Sequence, residues 1–570
     1  MGAHMKKKVL PVIVAILLIL VIGGCALGKV LLDKYSYSKE EADWNEFYQV
    51  SENDRSAIIL QNEMVEEQAL IKDGVCYFDL ATVHKYMNEV FYADMTENLL
   101  LYATPTEVIR TTFGETAYTT TEGTQEAGYV ISFVDGDNVY VAADYVKLFT
   151  NYSYECYDRH VQVNTEWGTR QVAQLKNDTA VRLRGGVKSP ILTQAVKGDT
   201  LEILEQMETW SKVKTADAVI GYVENKRLGE ITEEMETPVT DYQAPEYTSL
   251  TADSKICLGW QSIGGVAGND TLYSMVSGTK GMNVIAPTWF SMMDENGAFR
   301  SFATAGYVTT AHQMGLQVWG VLDNFNYANE NGISISTLNM LSSTTARQNL
   351  VKNVTDTAVG LGLDGINVDF EQLSSDCGPH YVEFLRELSI ECRNKGLVLS
   401  IDNYVPFNFN DYYRLDIQGE VADYVIIMGY DEHWHGSKDP GSVASISYVS
   451  DGLDRTLQEV PANKVVNALP FYTILWKTEG TDVTDEYITM RNEADFMSKA
   501  GVSAEWDEVT CQNYAEWTSG SVNYQIWLED AESIAVKLNM MTTKNIGGVA
   551  VWRLGYGTQA AWELINAYLQ

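Results

Sequence analysis

Cysteine and positive charge are what this chain has least of. Its seven cysteines (25, 76, 156, 257, 377, 392 and 511) are scattered over 570 residues without Cys-x-x-Cys spacing. That pattern gives no basis for a cysteine-built metal cluster or a disulfide framework, and most of the thiols are expected to be free and buried. Forty Lys and Arg stand against 77 Asp and Glu, a formal net charge of −37 spread along the chain. Such a field repels nucleic acid and anionic membrane surfaces and chiefly serves solubility, so nucleic acid is not an expected partner. The 45% apolar and 11% aromatic content is that of a globular chain, not a disordered one. A length of 570 residues is too great for one core, and three or four domains are expected.

The first feature along the chain is Lys6-Lys7-Lys8 followed by an uncharged, largely aliphatic run from Val9 to Gly28. A helix of this length just spans a hydrocarbon core, and the lysines hold its N-terminal end in the cytoplasm. Residues 1–32 are therefore expected to be a signal anchor that tethers the rest outside the membrane. Ile22-Gly23-Gly24-Cys25 resembles a lipoprotein cleavage box, which makes a lipidated Cys25 the alternative. A charged stalk is expected over 33–55. An α+β module follows over 56–168, in which Asp73-Gly74 and Asp135-Gly136 each lead into an alternating strand and then an amphipathic helix. This echo resembles the N-terminal domain of copper amine oxidases, although no metal constellation accompanies it. Residues 172–229, with strand patterns at Ala180–Arg184, Trp210–Val213 and Gly221–Val223, resemble a bacterial SH3-like domain. The acidic stretch 230–253, which holds two prolines at 238 and 245, reads as a linker.

The most informative segment is Asp364-Gly365-Ile366-Asn367-Val368-Asp369-Phe370-Glu371. Side chains alternate across a strand, so Ile366, Val368 and Phe370 share one face while Asn367, Asp369 and Glu371 share the other. Carboxyls two residues apart on one buried face raise one another's pKa, and a carboxyl kept protonated is what an acid catalyst at neutral pH requires. The segment resembles the DGxxxDxE signature of glycoside hydrolase family 18, the chitinase-like (β/α)8 barrels. Val425-Ile426-Ile427-Met428-Gly429-Tyr430-Asp431 resembles that family's sixth strand, and Gly547-Gly548-Val549-Ala550-Val551-Trp552 its eighth. The spore-cortex and cell-wall lytic branch is the nearest match, through Tyr430-Asp431-Glu432-His433-Trp434 and Trp527-Leu528-Glu529-Asp530.

The fold expected is therefore multidomain, ending in a TIM barrel over 254–570, with strands near residues 255, 283, 316, 365, 397, 424, 464 and 549. The stretch from Phe471 to Asn545 leaves room for an insertion beside the cleft. Sites in such barrels lie at the C-terminal strand ends. Candidates there are Glu371, Tyr430, Asp431, Trp289, Asn403 and Trp552, with Met428 in the sixth-strand motif and Asn367 and Asp364 in support.

The resemblance implies hydrolysis of β-1,4 bonds after N-acetylglucosamine without a cofactor, with Glu371 as proton donor. Family members use the substrate's own 2-acetamido oxygen in place of a carboxylate nucleophile. By that resemblance Asp369 orients the acetamido N–H, Tyr430 binds its oxygen, Asp431 binds sugar hydroxyls and Trp552 floors the subsite. The expected partner is peptidoglycan, with chitin-like polymers and an inactive, lectin-like sugar binder as alternatives. His433-Trp434-His435 lacks a third ligand, so no metal is expected. One departure is Asn367, where many chitinases carry Asp; an amide cannot take a proton from Asp369. Replacing Asn367 by Asp is therefore expected to shift the limbs of the pH–rate profile.

Overall fold

The computed structural model describes residues 3–238, 240 and 242–570; positions 1, 2, 239 and 241, within the expected anchor and linker, lie outside the described residues. The chain forms two compact units, one of residues 1–89, 113–117 and 126–244, the other of 90–112, 118–125 and 245–570.

The first unit opens with one helix, Ala3–Tyr35. Its apolar stretch Leu10–Tyr35 is long and apolar enough to cross a membrane. At 1.5 Å per residue it measures about 39 Å, against about 30 Å of hydrocarbon. A seven-stranded mixed sheet follows, and the two halves of the sequence echo meet within it: Val75–Asp79 pairs antiparallel with Asn138–Ala142. Each of these strands runs into a helix, Leu80–Tyr86 and Ala143–Lys147. Asp73 and Gly74, at φ 53° and 81°, form the tight turn between paired Lys72 and Val75, a conformation that favours Asp-Gly. A second, antiparallel seven-stranded sheet spans Thr169–Met235 around Ala173, Val181, Leu201, Val213 and Val223. All seven cysteines are unpaired.

In the second unit, Phe91–Asp94, Leu99–Ala103 and Val108–Thr112 form antiparallel strands that group with the C-terminal domain rather than with the rest of 56–168. Their anchor is polar. The Asp94 carboxylate accepts hydrogen bonds from the Thr344 amide at 2.7 Å and its hydroxyl at 2.5 Å, while Glu97 takes those of Ser343 and Thr345. Thr344 opens the helix Thr344–Leu361, whose first amides have no partner within the helix. Burial pushes the Asp94 carboxyl up, but hydrogen bonds from Thr344, Thr96 and Glu97 outweigh it and hold it below the usual range. Asp94→Ala is expected to cost about 3 kcal/mol, because buried donors of Thr344 lose a charged acceptor. Since the folded-state value is depressed, this contribution is present above the unfolded carboxyl's pKa and is lost as pH falls through the folded value. Denaturant titrations at neutral and strongly acidic pH should show the gap to wild type narrowing in acid.

The barrel is built from β1 (Ile256–Gln261), β2 (Val284–Pro287), β3 (Gln317–Asp323), β4 (Gly365–Asp369), β5 (Val398–Tyr404), β6 (Tyr424–Met428), β7 (Val465–Pro470) and β8 (Gly548–Trp552). All eight are parallel, each paired to the next, and β8 pairs with β1 to close the ring. Outward residues such as Ile366, Val368, Leu399 and Ile401 pack beneath the helices, while Leu258, Trp260, Val321, Ile426 and Ala468 fill the interior. Between β7 and β8 the chain builds the expected insertion, a five-stranded antiparallel sheet within Tyr472–Leu528, with the helix Met490–Ala500 and its own small core around Leu475 and Ile526.

Candidate active site

The pleat of β4 decides the site. With Ile366 and Val368 facing the helices, Asn367 and Asp369 face inward, and Glu371 emerges two residues past the strand end. Around them a cleft of about 340 Å³ opens at the C-terminal strand ends, lined by Trp260 from β1, Asp402 and Tyr404 from β5, Met428 from β6 with Tyr430 and Asp431 just beyond it, and Trp552 from β8. A larger groove of about 900 Å³, between residues 406–416 and 455–459, contains none of the β4 carboxyls.

Glu371 is clamped through its backbone. Its N–H donates to Asn324 Oδ1 at 2.9 Å, and Asn324 Nδ2 donates back to its carbonyl at 3.0 Å. Its Oε2 accepts from the Tyr404 hydroxyl at 2.6 Å. Burial pushes Glu371 up, the Tyr404 bond pulls it down, and the charges of Asp431 and Asp323 push it up again; the net position is above the usual carboxylate range. Asp369 is driven far higher, by burial first and then by the charges of Glu371, Asp402 and Asp323. Its Oδ1 is buried and has no hydrogen-bond partner among the described residues. Asp431 is raised by burial, opposed by a hydrogen bond from the Tyr472 hydroxyl. It sits at φ 60°, a left-handed conformation that non-glycine residues adopt at a cost, of the kind concentrated at functional sites. Trp552 meets Trp260 edge to face with ring centroids 6.0 Å apart, so two indoles border one side of the cleft.

Below the cleft floor, Trp260 Nε1 donates to Asn367 Oδ1 at 2.9 Å, and Asn367 Nδ2 donates to Ser400 Oγ at 3.0 Å and Asp402 Oδ1 at 2.8 Å. An indole N–H can only donate, which fixes the orientation of the Asn367 amide.

The structure brings Glu371, Asp369, Tyr430, Asp431, Met428 and Trp552 together at the cleft. Asn403 and Trp289, also expected there, are not brought to it. Asn403 points outward from β5 and exchanges hydrogen bonds with Gln418, Nδ2 donating to Oε1 at 2.7 Å. Trp289 is fully buried, donating to Asn269 Oδ1 at 2.8 Å and packed edge-on against Tyr307. Asp364 precedes β4 at the opposite barrel end, where it accepts from the Val318 amide and pairs with His312. Sequence reasoning missed Trp260, Asp402, Tyr404, Asn324 and Tyr472. Asp402 and Tyr404 were findable from strand phase, because Leu399 and Ile401 outward place Ser400, Asp402 and Tyr404 inward.

Residues 334–557 match the family described as Glycosyl hydrolases family 18, and residues 177–229 match the bacterial SH3 domain. The C-terminal barrel is a family 18 glycosyl hydrolase domain. Among curated relatives, the cortical fragment-lytic enzyme of Bacillus anthracis is 26% identical over 254 residues, 42% of this chain and 57% of that protein. The uncharacterized glycosylase YvbX of Bacillus subtilis (strain 168) is 24% identical over 296 residues, 50% of this chain and 84% of that protein. The chain spans little more than half the length of several curated relatives it matches. Among solved structures, the spore cortex-lytic enzyme SleL of Bacillus cereus aligns with a TM-score of 0.50 at 22% identity, over 57% of this chain and 76% of that one. That likeness is one of fold.

Proposed function

We propose that this chain is an exported, membrane-tethered glycoside hydrolase that cleaves β-1,4 bonds after N-acetylglucosamine, in peptidoglycan before chitin, by substrate-assisted catalysis with retention. The observation that carries the reading is the buried, unpartnered Oδ1 of Asp369 in a cleft shared with Glu371. A buried polar atom without a partner is costly, and a substrate N–H would satisfy it.

In this reading the pyranose rests against Trp552, with Tyr430 donating to the acetamido oxygen and Asp369 accepting from its N–H. That oxygen attacks C1 while Glu371, whose protonated form burial favours, gives its proton to the leaving oxygen. The oxazolinium formed is stabilised by Asp369, and Asp431 binds sugar hydroxyls. Water activated by the now ionised Glu371 then opens the ring from the same face. Glu371 in this position supports an enzyme over a lectin-like binder. The cortex-lytic names of the relatives, the SH3 domain and the apolar N-terminal helix support a wall substrate on the outer side of a membrane.

A thiazoline mimic of the oxazolinium should inhibit competitively; indifference to it would count against the mechanism. Tyr404→Phe removes a bond that favours ionised Glu371, so the basic limb of the pH–rate profile should move to higher pH. The plateau rate should fall by less than roughly tenfold, since one hydrogen bond contributes about 1 kcal/mol. A basic limb left in place would break the assignment of that limb to Glu371.

A further inference from the structure

Position 367 holds an amide where a carboxyl would extend the column of Asp369 and Glu371, and an amide cannot store a proton. The neighbouring strand supplies a carboxyl instead. In the β4–β5 register Asn367 lies opposite Ser400 and Val368 opposite Ile401, so the next inward residue of β5 is Asp402. Asp402 is 2% exposed and borders the cleft, with its Oδ1 tied to the Asn367 amide at 2.8 Å. Asn367 is its one hydrogen-bond donor among the described residues.

The titratable groups that share the cleft beside Asp402 are Asp369 and Glu371 from β4 and its exit and Tyr430 from beyond β6, while Tyr381 lies behind the barrel wall in the outer core. No cation acts on it among the described residues. A third buried carboxyl among acids with no counter-ion must keep a proton within the cluster.

We propose that Asp402 is a positioning residue that takes the place of the missing column carboxyl, holding the proton that Asp369 gives up when Asp369 ionises toward the substrate. The inference rests on the substrate-assisted reading. One proton is involved: it resides on Asp369 in the free enzyme and on the Asp402 carboxylate when Asp369 accepts from the acetamido N–H. It returns when product leaves. The net charge of the cluster is unchanged, and Asp402 acts through Asp369 rather than on the sugar. The Trp260–Asn367–Asp402 chain fixes the carboxyl in place for this exchange.

The test compares Asp402→Asn, Asp402→Glu, Asn367→Asp and the double variant Asn367→Asp/Asp402→Asn with wild type, measuring kcat and KM on an N-acetylglucosamine oligosaccharide across pH. Asn at 402 still accepts from Asn367 through its own oxygen, so it removes the proton capacity while keeping the hydrogen bond. Asp402→Asn is expected to lower kcat by about 10- to 100-fold, a proton-handling contribution at or below the usual range. KM should be nearly unchanged and the acidic limb of the profile displaced. Asp402→Glu keeps the carboxyl and should retain the shape of the wild-type profile. The double variant returns a carboxyl to the column and should recover most of kcat, a rescue that a packing role for Asp402 would not produce. Thermal melts and thiazoline binding establish that each variant is folded; a misfolded Asp402→Asn leaves the Glu and double variants to decide. An active wild type whose pH profile survives in Asp402→Asn, or a folded double variant no better than that single one, overturns this inference alone. An inactive wild type overturns the substrate-assisted reading and this inference with it.

Discussion

Glu371→Gln is expected to lower kcat by about 10²–10⁴-fold, the range for loss of a positioned general acid. The amide is isosteric, so its carbonyl oxygen still accepts from Tyr404 and the Asn324 clamp on the backbone is untouched. Binding of chitooligosaccharides should therefore stay within a few-fold of wild type, measured by calorimetry, while turnover collapses. The separation of binding from rate identifies a group used in the transition state. A variant that retains wild-type turnover would show that the proton comes from elsewhere in the cluster.

Removing the nucleophile from the substrate should have an effect at least as large. When the 2-acetamido group is replaced by hydroxyl, the attacking oxygen is lost and the unpartnered Oδ1 of Asp369 gains no N–H to accept. Well-oriented intramolecular groups act at effective molarities of about 10⁵ M and above, so a fall of more than about 10³-fold in kcat/KM is expected. Comparable cleavage of a plain glucoside would exclude substrate assistance and require a carboxylate nucleophile.

Much of this architecture was legible in the sequence because a barrel repeats one simple pattern. Each of the eight strands lies at its expected place, and in β4 the apolar phase of Ile366, Val368 and Phe370 already placed Asn367, Asp369 and Glu371 together. Asn403 was chosen only for its position near the end of β5, where the inward residues are Asp402 and Tyr404. Trp289 was chosen for its position past β2, but an indole there packs into the wall, and Trp260 of β1 reaches the cleft instead. Proximity to a strand end does not fix the direction of a side chain. The grouping of residues 90–112 with the barrel was not readable at all. It depends on Asp94 and Glu97 meeting Ser343, Thr344 and Thr345 some 250 positions later in the chain, and no local periodicity records such a meeting.

The central claim is tested most directly by digesting purified peptidoglycan with the enzyme and identifying the new reducing ends by mass spectrometry after borohydride reduction. The account predicts glycan fragments ending in reduced N-acetylglucosamine, produced by wild type and missing with Glu371→Gln. Ends in reduced N-acetylmuramic acid, or glycan bound by the wild type without any new reducing end, would contradict it.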